Sequence, residues 1–319
     1  MKKKILITGG GGYVGSVLAN TLSKKNFKIT VLDTFWFGSN FYKNKEIKLI
    51  KQDIRNLNTH QLKDFDTIVH LANISNDPSA QIDPSISWEI NVLASYQLLE
   101  KAKKSGVKKF IYASSGSVYG VKKERKVTED LSLVPITTYN KTKLIFEKIL
   151  NSYNSKNFKV FCVRPGTICG LSPRMRWDLS VNLLTLHAVR NKKIKVFGGS
   201  QHRPHIHIND MIRVYEHFIN DKAKPGIYNA AFECFTIDNL AKKIQKKTKS
   251  KIFHYKSDDI RSYRLNSSKL LNTGFVPKYS VKQAIDEIIN LNSRKKLTVC
   301  SNNFNLKKMK KLIKIGKIK

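Results

Sequence analysis

Two periods of apolar and polar residues alternate along this chain, and their order is its first structural signal. Short runs of β-branched and apolar residues occur at 4–8, 28–32, 47–50, 67–71, 110–113 and 160–163. Between several of them, at 14–24, 87–104 and 138–152, apolar residues follow a helical spacing instead. Runs of the first kind fit buried strands, and those of the second fit helices with one apolar face. Strands alternating with helices imply βαβ units, hence a parallel sheet with right-handed crossovers. The pattern predicts an α/β fold, a Rossmann-type doubly wound sheet over residues 1–165.

After Arg164-Pro165 the pattern becomes irregular. Helical stretches at 178–190 and 237–247 are separated by loops rich in Gly, Pro and His. A smaller C-terminal α/β substrate domain is expected over 166–292. The strand-like runs 204–208 and 226–230 are expected to return to the main sheet. Residues 293–319 form a basic tail in which Leu306, Met309 and Ile313 lie at helical spacing among lysines. A surface helix or frayed terminus is expected there, rather than a helix for a membrane surface or a partner.

Composition narrows the class. The chain has 319 residues, enough for a sizeable core, and 41% of them are hydrophobic, so a folded globular protein is expected. The formal charge of +36 raises the question of nucleic acid. The lysines, however, are spread over the whole chain, as compositional drift would leave them, and no nucleic-acid partner is predicted. A positive field would still steer a diphosphate substrate. The four cysteines (Cys162, Cys169, Cys234, Cys300) are scattered, which supports neither a zinc site nor a disulfide framework. No run approaches the ~20 apolar residues of a transmembrane segment. The lysine-rich start mimics a signal peptide, but the glycines at 9–12 interrupt it, so a cytoplasmic location is expected.

The candidate chemistry begins where the first run ends. Thr8 leads into Gly9-Gly-Gly-Gly-Tyr-Val-Gly15 and then a helical pattern. Glycines there allow a tight turn and close approach of backbone to a pyrophosphate, and the helix start offers free N–H groups. Asp33 closes the second run, where a carboxylate accepts hydrogen bonds from an adenosine ribose and repels a 2′-phosphate, favouring NAD over NADP. Asp53 and Ile54 would suit the adenine edge. Tyr139 and Lys143 stand at i and i+4 on one helix face. A lysine ammonium beside a tyrosine favours the phenolate, making it a base for hydroxyl oxidation.

Together these segments resemble the extended short-chain dehydrogenase/reductase superfamily, in its nucleotide-sugar epimerase/dehydratase branch. The resemblance rests on Thr8–Gly15, Asp53-Ile-Arg55, His70-Leu-Ala72, Asn91, Ser114-Ser-Gly-Ser-Val-Tyr-Gly120, Tyr139-Asn-Lys-Thr-Lys143, Arg164-Pro165 and Arg203-Pro-His-Ile-His-Ile-Asn-Asp210, in family order. It implies NAD bound by Gly9, Gly12, Tyr13, Val14, Gly15, Asp33, Asp53, Ile54, Leu71, Ala72, Asn91, Tyr139, Lys143 and Pro165. It implies Tyr139 as base, Lys143 also on the nicotinamide ribose, and Ser115, ahead of Ser117, on the reacting hydroxyl. The 4,6-dehydratases carry an Asp-Glu pair where this chain has Gly116 and Ser117, which disfavours dehydration.

The resemblance also implies a nucleotide-diphosphate sugar as substrate. Arg203 stands where the family binds the diphosphate, and Arg261, within 258–264, resembles the second diphosphate arginine; Val196-Phe-Gly198 would flank the base. The segment 172–182 is similar to one in bacterial surface-polysaccharide epimerases, so Arg174, Arg176 and Asn182 are candidates for the sugar or phosphate pocket. His205 and His207 share one strand face, but strand packing, not a metal pair, is expected. The expected activity is an NAD-dependent epimerase or 4-dehydrogenase of surface-polysaccharide synthesis, working as a homodimer. The alternatives are a 4-keto reductase, a 4,6-dehydratase, and a non-catalytic dinucleotide-binding regulator.

Overall fold

The computed structural model describes residues 2–39, 44–257, 259 and 261–318. The first six strands are β1 (Lys3–Thr8), β2 (Phe27–Asp33), β3 (Lys48–Lys51), β4 (Thr67–His70), β5 (Lys109–Ala113) and β6 (Lys159–Pro165). Six more follow: β7 (Thr167–Cys169), β8 (Lys193–Phe197), β9 (His202–His207), β10 (Gly226–Ala230), β11 (Glu233–Thr236) and β12 (Lys251–Tyr255). The longer helices are α1 (Tyr13–Leu22), α2 (Ser95–Lys104), α3 (Thr138–Ser152), α4 (Ser180–Asn191), α5 (Ile208–Ile219), α6 (Ile237–Thr248), α7 (Val281–Ser293) and α8 (Asn305–Lys314).

The main sheet is seven-stranded and parallel, in the order β10-β6-β5-β4-β1-β2-β3. Its order reverses at β1, between β4 and β2. That reversal opens a crevice at the carboxyl ends of the strands, the usual place for a ligand in such sheets. Ile5, Leu6 and Ile7 are all buried, as a strand covered by helices on both faces requires. One core packs Leu18, Ala19 and Leu22 of α1 with Val31, Phe161 and Phe218. The opposite core packs Phe146 and Leu150 of α3 with Phe110, Tyr112 and Leu98.

Three departures from the sequence reading have physical causes. Of the two returning strands, only β10 joins the main sheet; β9 lies between β11 and β7 in a separate three-stranded sheet. An apolar alternation marks a strand but not its neighbour. The single helix expected over 87–104 is divided into Pro84–Trp88, a π-helical turn at Glu89–Ala94, and α2. Lastly, the tail forms the expected helix, α8, but not one confined to the surface: Met309, Leu312 and Ile318 enter the core cluster that holds Phe146 and Leu150 of α3. No helix among the described residues is long and apolar enough to cross a membrane.

Candidate active site

A cavity of about 750 Å³ opens at the carboxyl ends of the central strands. Its floor is the glycine loop. Gly9 has φ +71°, and a Cβ there would stand 2.4 Å from the Ala72 backbone nitrogen, so the turn admits only glycine. The loop feeds α1, whose N-cap Gly12 has no side-chain cap, leaving first-turn N–H groups for an anion. Beside them Asp33 accepts from the N–H groups of Gly11 (2.9 Å) and Phe35 (2.6 Å), while burial pushes its carboxyl above the usual range. Asp53 pairs with Arg55 at 2.9 Å and holds the turn Ile54–Asn56, and Leu71, Ala72 and Pro165 complete this wall. A glycine turn without room for Cβ, an uncapped helix start and a carboxylate at the end of β2 are features that fit a dinucleotide.

Tyr139, Lys143 and Ser115 line the same cavity. Thr137 accepts a hydrogen bond from the Asn140 N–H and so starts α3 one turn before Lys143. Ser115, after β5, hydrogen-bonds the Tyr139 hydroxyl and lies 2.8 Å from the Ser117 hydroxyl. Ser117 in turn donates to the Asn140 side chain at 2.6 Å, which uses its proton. The Lys143 ammonium donates to the Asn73 side chain and to the Ala113 carbonyl, both at 2.7 Å. It stands 5.6 Å from the centre of the Tyr139 ring. Burial pushes this lysine down to about 7.

Here the sequence expectation is amended. Burial, reinforced by the charge of Asp77, pushes the Tyr139 phenol up; the opposing influences are Arg176 and the Ser115 hydrogen bond. Lys143 is anchored on Asn73 instead of the tyrosine oxygen. In this state desolvation outweighs the nearby positive charges.

At the other end of the cavity Arg203 and Arg261 meet on one carboxylate. Asp259 accepts from Arg203 Nη2 at 2.8 Å and from Arg261 Nη2 at 2.7 Å, and the two guanidinium groups hold it down at about 2. Arg261 also pairs with Asp77, to which Thr137 donates. Two convergent arginines form a natural diphosphate or carboxylate receptor. Asp258 and Ile260 of the predicted 258–264 motif lie outside the described residues. Phe197 lines the cavity mouth and stacks on Tyr255, while Val196 is buried.

The strap 171–178, after β7, borders the cavity through Arg174, Arg176 and Asp178. Its Arg176 and Asp178 form a two-bond ion pair on the wall, with distances of 3.0 and 3.1 Å. Arg174 lies away from the Arg203–Arg261 pair. Its guanidinium covers the Phe37 ring at 3.8 Å and interacts with Asp33, at the nucleotide end.

Two predicted contacts do not reach the cavity. Asn182 is fully buried, accepting from the Gly170 N–H and donating to the Tyr13 hydroxyl and the Arg176 carbonyl, so it ties the strap to α1. Asn91, in the π-turn, bonds the N–H and carbonyl of Ile74 and shapes the loop after β4. Both amides spend their hydrogen bonds on backbone that would otherwise be buried unpaired. His205 and His207 contact Ser180 and the Asn209 N–H respectively, and the described residues contain no metal-ligand cluster.

Residues absent from the sequence reading, Asn73, Asn76, Asp77 and Asn305, complete the wall, together with Asp178 and Asp259 from the segments 172–182 and 258–264. Asn76 has φ 80° and ψ 153°, a region that side chains rarely occupy, and is held there by Ser79 and Asp178. The Asn76-Asp77-Pro78 start of a helix was the one sequence signal for this group.

Residues 5–231 match the model of the NAD-dependent epimerase/dehydratase family. A putative UDP-glucose 4-epimerase of Methanocaldococcus jannaschii is 24% identical over 298 residues, covering 90% of this chain and 97% of its own length. An uncharacterized UDP-glucose epimerase of Bacillus subtilis is 31% identical over 227 residues, covering 66% and 70%. Among solved structures, the UDP-glucuronic acid 4-epimerase of Bacillus cereus, in complex with UDP-glucuronic acid and NAD, superposes with a TM-score of 0.82. It is 25% identical, over 92% of this chain and 99% of that one. The glycine loop, Asp33 and the Tyr139–Lys143 helix all fall within the matched span, and the chain belongs to the NAD-dependent epimerase/dehydratase family.

Proposed function

We propose that this enzyme inverts a carbon, C4, of a nucleotide-diphosphate sugar by transient oxidation of its hydroxyl. The observation that carries the reading is one cavity joining Ser115, Tyr139 and Lys143 to the glycine loop at one end and to Arg203 and Arg261 at the other. NAD, when bound, supplies the hydride acceptor and returns the hydride. Tyr139 takes the hydroxyl proton, and the charge of Arg176 and the Ser115 hydrogen bond favour the phenolate this requires. Ser115 orients the reacting hydroxyl, and the same tyrosine returns the proton. Arg203 and Arg261 receive the diphosphate once it displaces Asp259.

Gly116 separates this reading from 4,6-dehydration. A Cβ at that position would stand 2.6 Å from Leu265 Cδ1 and 3.0 Å from the Pro165 carbonyl, so a carboxyl side chain enters only where the Leu265 tip gives way. Release of the keto sugar, or its reduction, remains the alternative outcome. The likeness of residues 172–182 to a segment of bacterial surface-polysaccharide epimerases supports that biosynthetic setting. We also infer a homodimer, supported by Leu93, Tyr96 and Ile145, which are exposed on neighbouring helical segments.

The test is incubation with a panel of UDP-, GDP-, dTDP- and CDP-sugars. An epimerised sugar without net NADH is the expected product; accumulation of keto sugar with NADH overturns epimerisation in favour of net oxidation. Tyr139→Phe is expected to lose about 10²–10⁴-fold in turnover while still binding NAD. A fully active variant would remove Tyr139 from the chemistry.

A further inference from the structure

Arg174 and the C-terminal segment form an arrangement that the reaction itself does not explain. The strap is docked on the first turn of α1, where Ser172 donates to the Tyr13 carbonyl at 2.7 Å. Two residues later, Arg174 is 4% exposed, and its Nε is buried without a hydrogen-bond partner. One side of its guanidinium covers Phe37, and Nη2 donates to the Asn305 side chain at 2.6 Å. Burial and the like charge of Arg176 pull this arginine down to about 9, with Asp178 and Asp33 compensating only in part. A buried guanidinium with a spare donor on a cavity wall is a receptor for an anion.

The tail holds that receptor in place. Asn305 donates from its side chain to the Ser75 hydroxyl at 2.8 Å and from its backbone to Asp178 at 3.2 Å. The Trp177 N–H donates to the Asn303 carbonyl at 2.9 Å, so strap and tail are also joined through the main chain. Leu306 lines the cavity, while Met309 and Leu312 anchor α8 in the core.

We propose that the C-terminal segment is a cofactor latch, in which Asn305 fixes Arg174 over the pyrophosphate–adenosine half of the dinucleotide and slows its release. This inference rests on the reading of the cavity as an NAD site. The dinucleotide end is favoured because Arg174 approaches Asp33 and the α1 N-terminus, whereas Arg203 and Arg261 serve the opposite end. A latch suits a reaction that returns hydride to the same bound sugar, since nothing requires the cofactor to exchange between turnovers.

The test compares wild type, Arg174→Met, Asn305→Ala and the double variant for NAD retained after desalting and for NAD release rate, with the released nucleotide identified by mass. Each single variant is expected to release NAD about tenfold faster or more, as for a lost charge-assisted hydrogen bond. The double variant should be no faster than Arg174→Met, because both changes act through one contact. UDP affinity, measured by calorimetry on the same samples, should be unchanged and reports that the variants are folded. Arg174→Lys, which keeps the charge, supplies a second measurement if the methionine variant is unstable. Unchanged NAD release in the Arg174 variants overturns the latch. Weaker UDP binding with unchanged NAD release also overturns it and returns Arg174 to the substrate. A wild-type protein that binds UDP but neither retains nor binds NAD overturns the underlying cofactor reading, and the latch with it.

Discussion

A lysine ammonium enclosed by Tyr112, Asn73 and the Ala113 carbonyl loses much of its hydration and regains two hydrogen bonds. For Lys143 the balance is unfavourable to the charge, and its folded pKa falls from the ordinary 10.5 to about 7. Between those values the unfolded chain binds more protons than the folded one, so this group makes stability rise with pH. The cost of burying the charge is complete below about 7 and vanishes above 10.5. The ligand-free protein is therefore expected to melt higher at pH 9 than at pH 7, by on the order of a few degrees. Lys143→Met should lose part of that rise in calorimetric scans. Equal slopes in wild type and variant would show that Lys143 keeps its ordinary pKa. The same residue shows what sequence conveys and what it omits. The i, i+4 spacing placed Lys143 and Tyr139 on one face, but the competition from Asn73 depends on a loop after β4 that no periodicity describes.

At the scale of elements, the strands that form the crevice were legible because parallel strands buried on both faces must be nearly continuous apolar runs. The partner of β9 was not, since the small sheet is selected by packing of the substrate-side segments. Asn91 and Asn182 were recognised as positions of interest, yet their chemistry is backbone support, which a motif alone does not distinguish from ligand contact. In α8, the helical spacing of Met309 was legible, but the lysine-rich composition concealed that Met309 and Leu312 enter the core on one side of the helix. The exposed Leu93, Tyr96 and Ile145 yield a prediction at this same scale. Apolar side chains on adjacent helices are a liability in a monomer and an asset at a two-fold interface. Wild type should sediment near twice the 36.5 kDa chain mass, and Leu93→Glu should shift it toward the monomer. A monomeric wild type would rule out the homodimer.

Across the whole molecule, the formal charge of +36 acts at a distance no single contact reaches. Only part of it is paired locally, as where Asp221 gathers Lys3, Lys109 and Lys159. An anionic substrate approaching this surface is accelerated, and salt screens that attraction over roughly 8–10 Å at physiological strength. Raising ionic strength from about 20 to about 200 mM is expected to lower kcat/KM several-fold, chiefly through slower association. An unchanged kcat/KM would mean that capture is local to Arg203 and Arg261.

The crowded wall at Gly116 also bears on descent. A first carboxyl at Gly116 would meet the tip of Leu265 and crowd the Pro165 carbonyl, so exchange of the proposed inversion for water elimination carries a packing cost at this position. Trimming that neighbour would lower the cost. Leu265 thus acts as a brake on that substitution, and not as a bar to it.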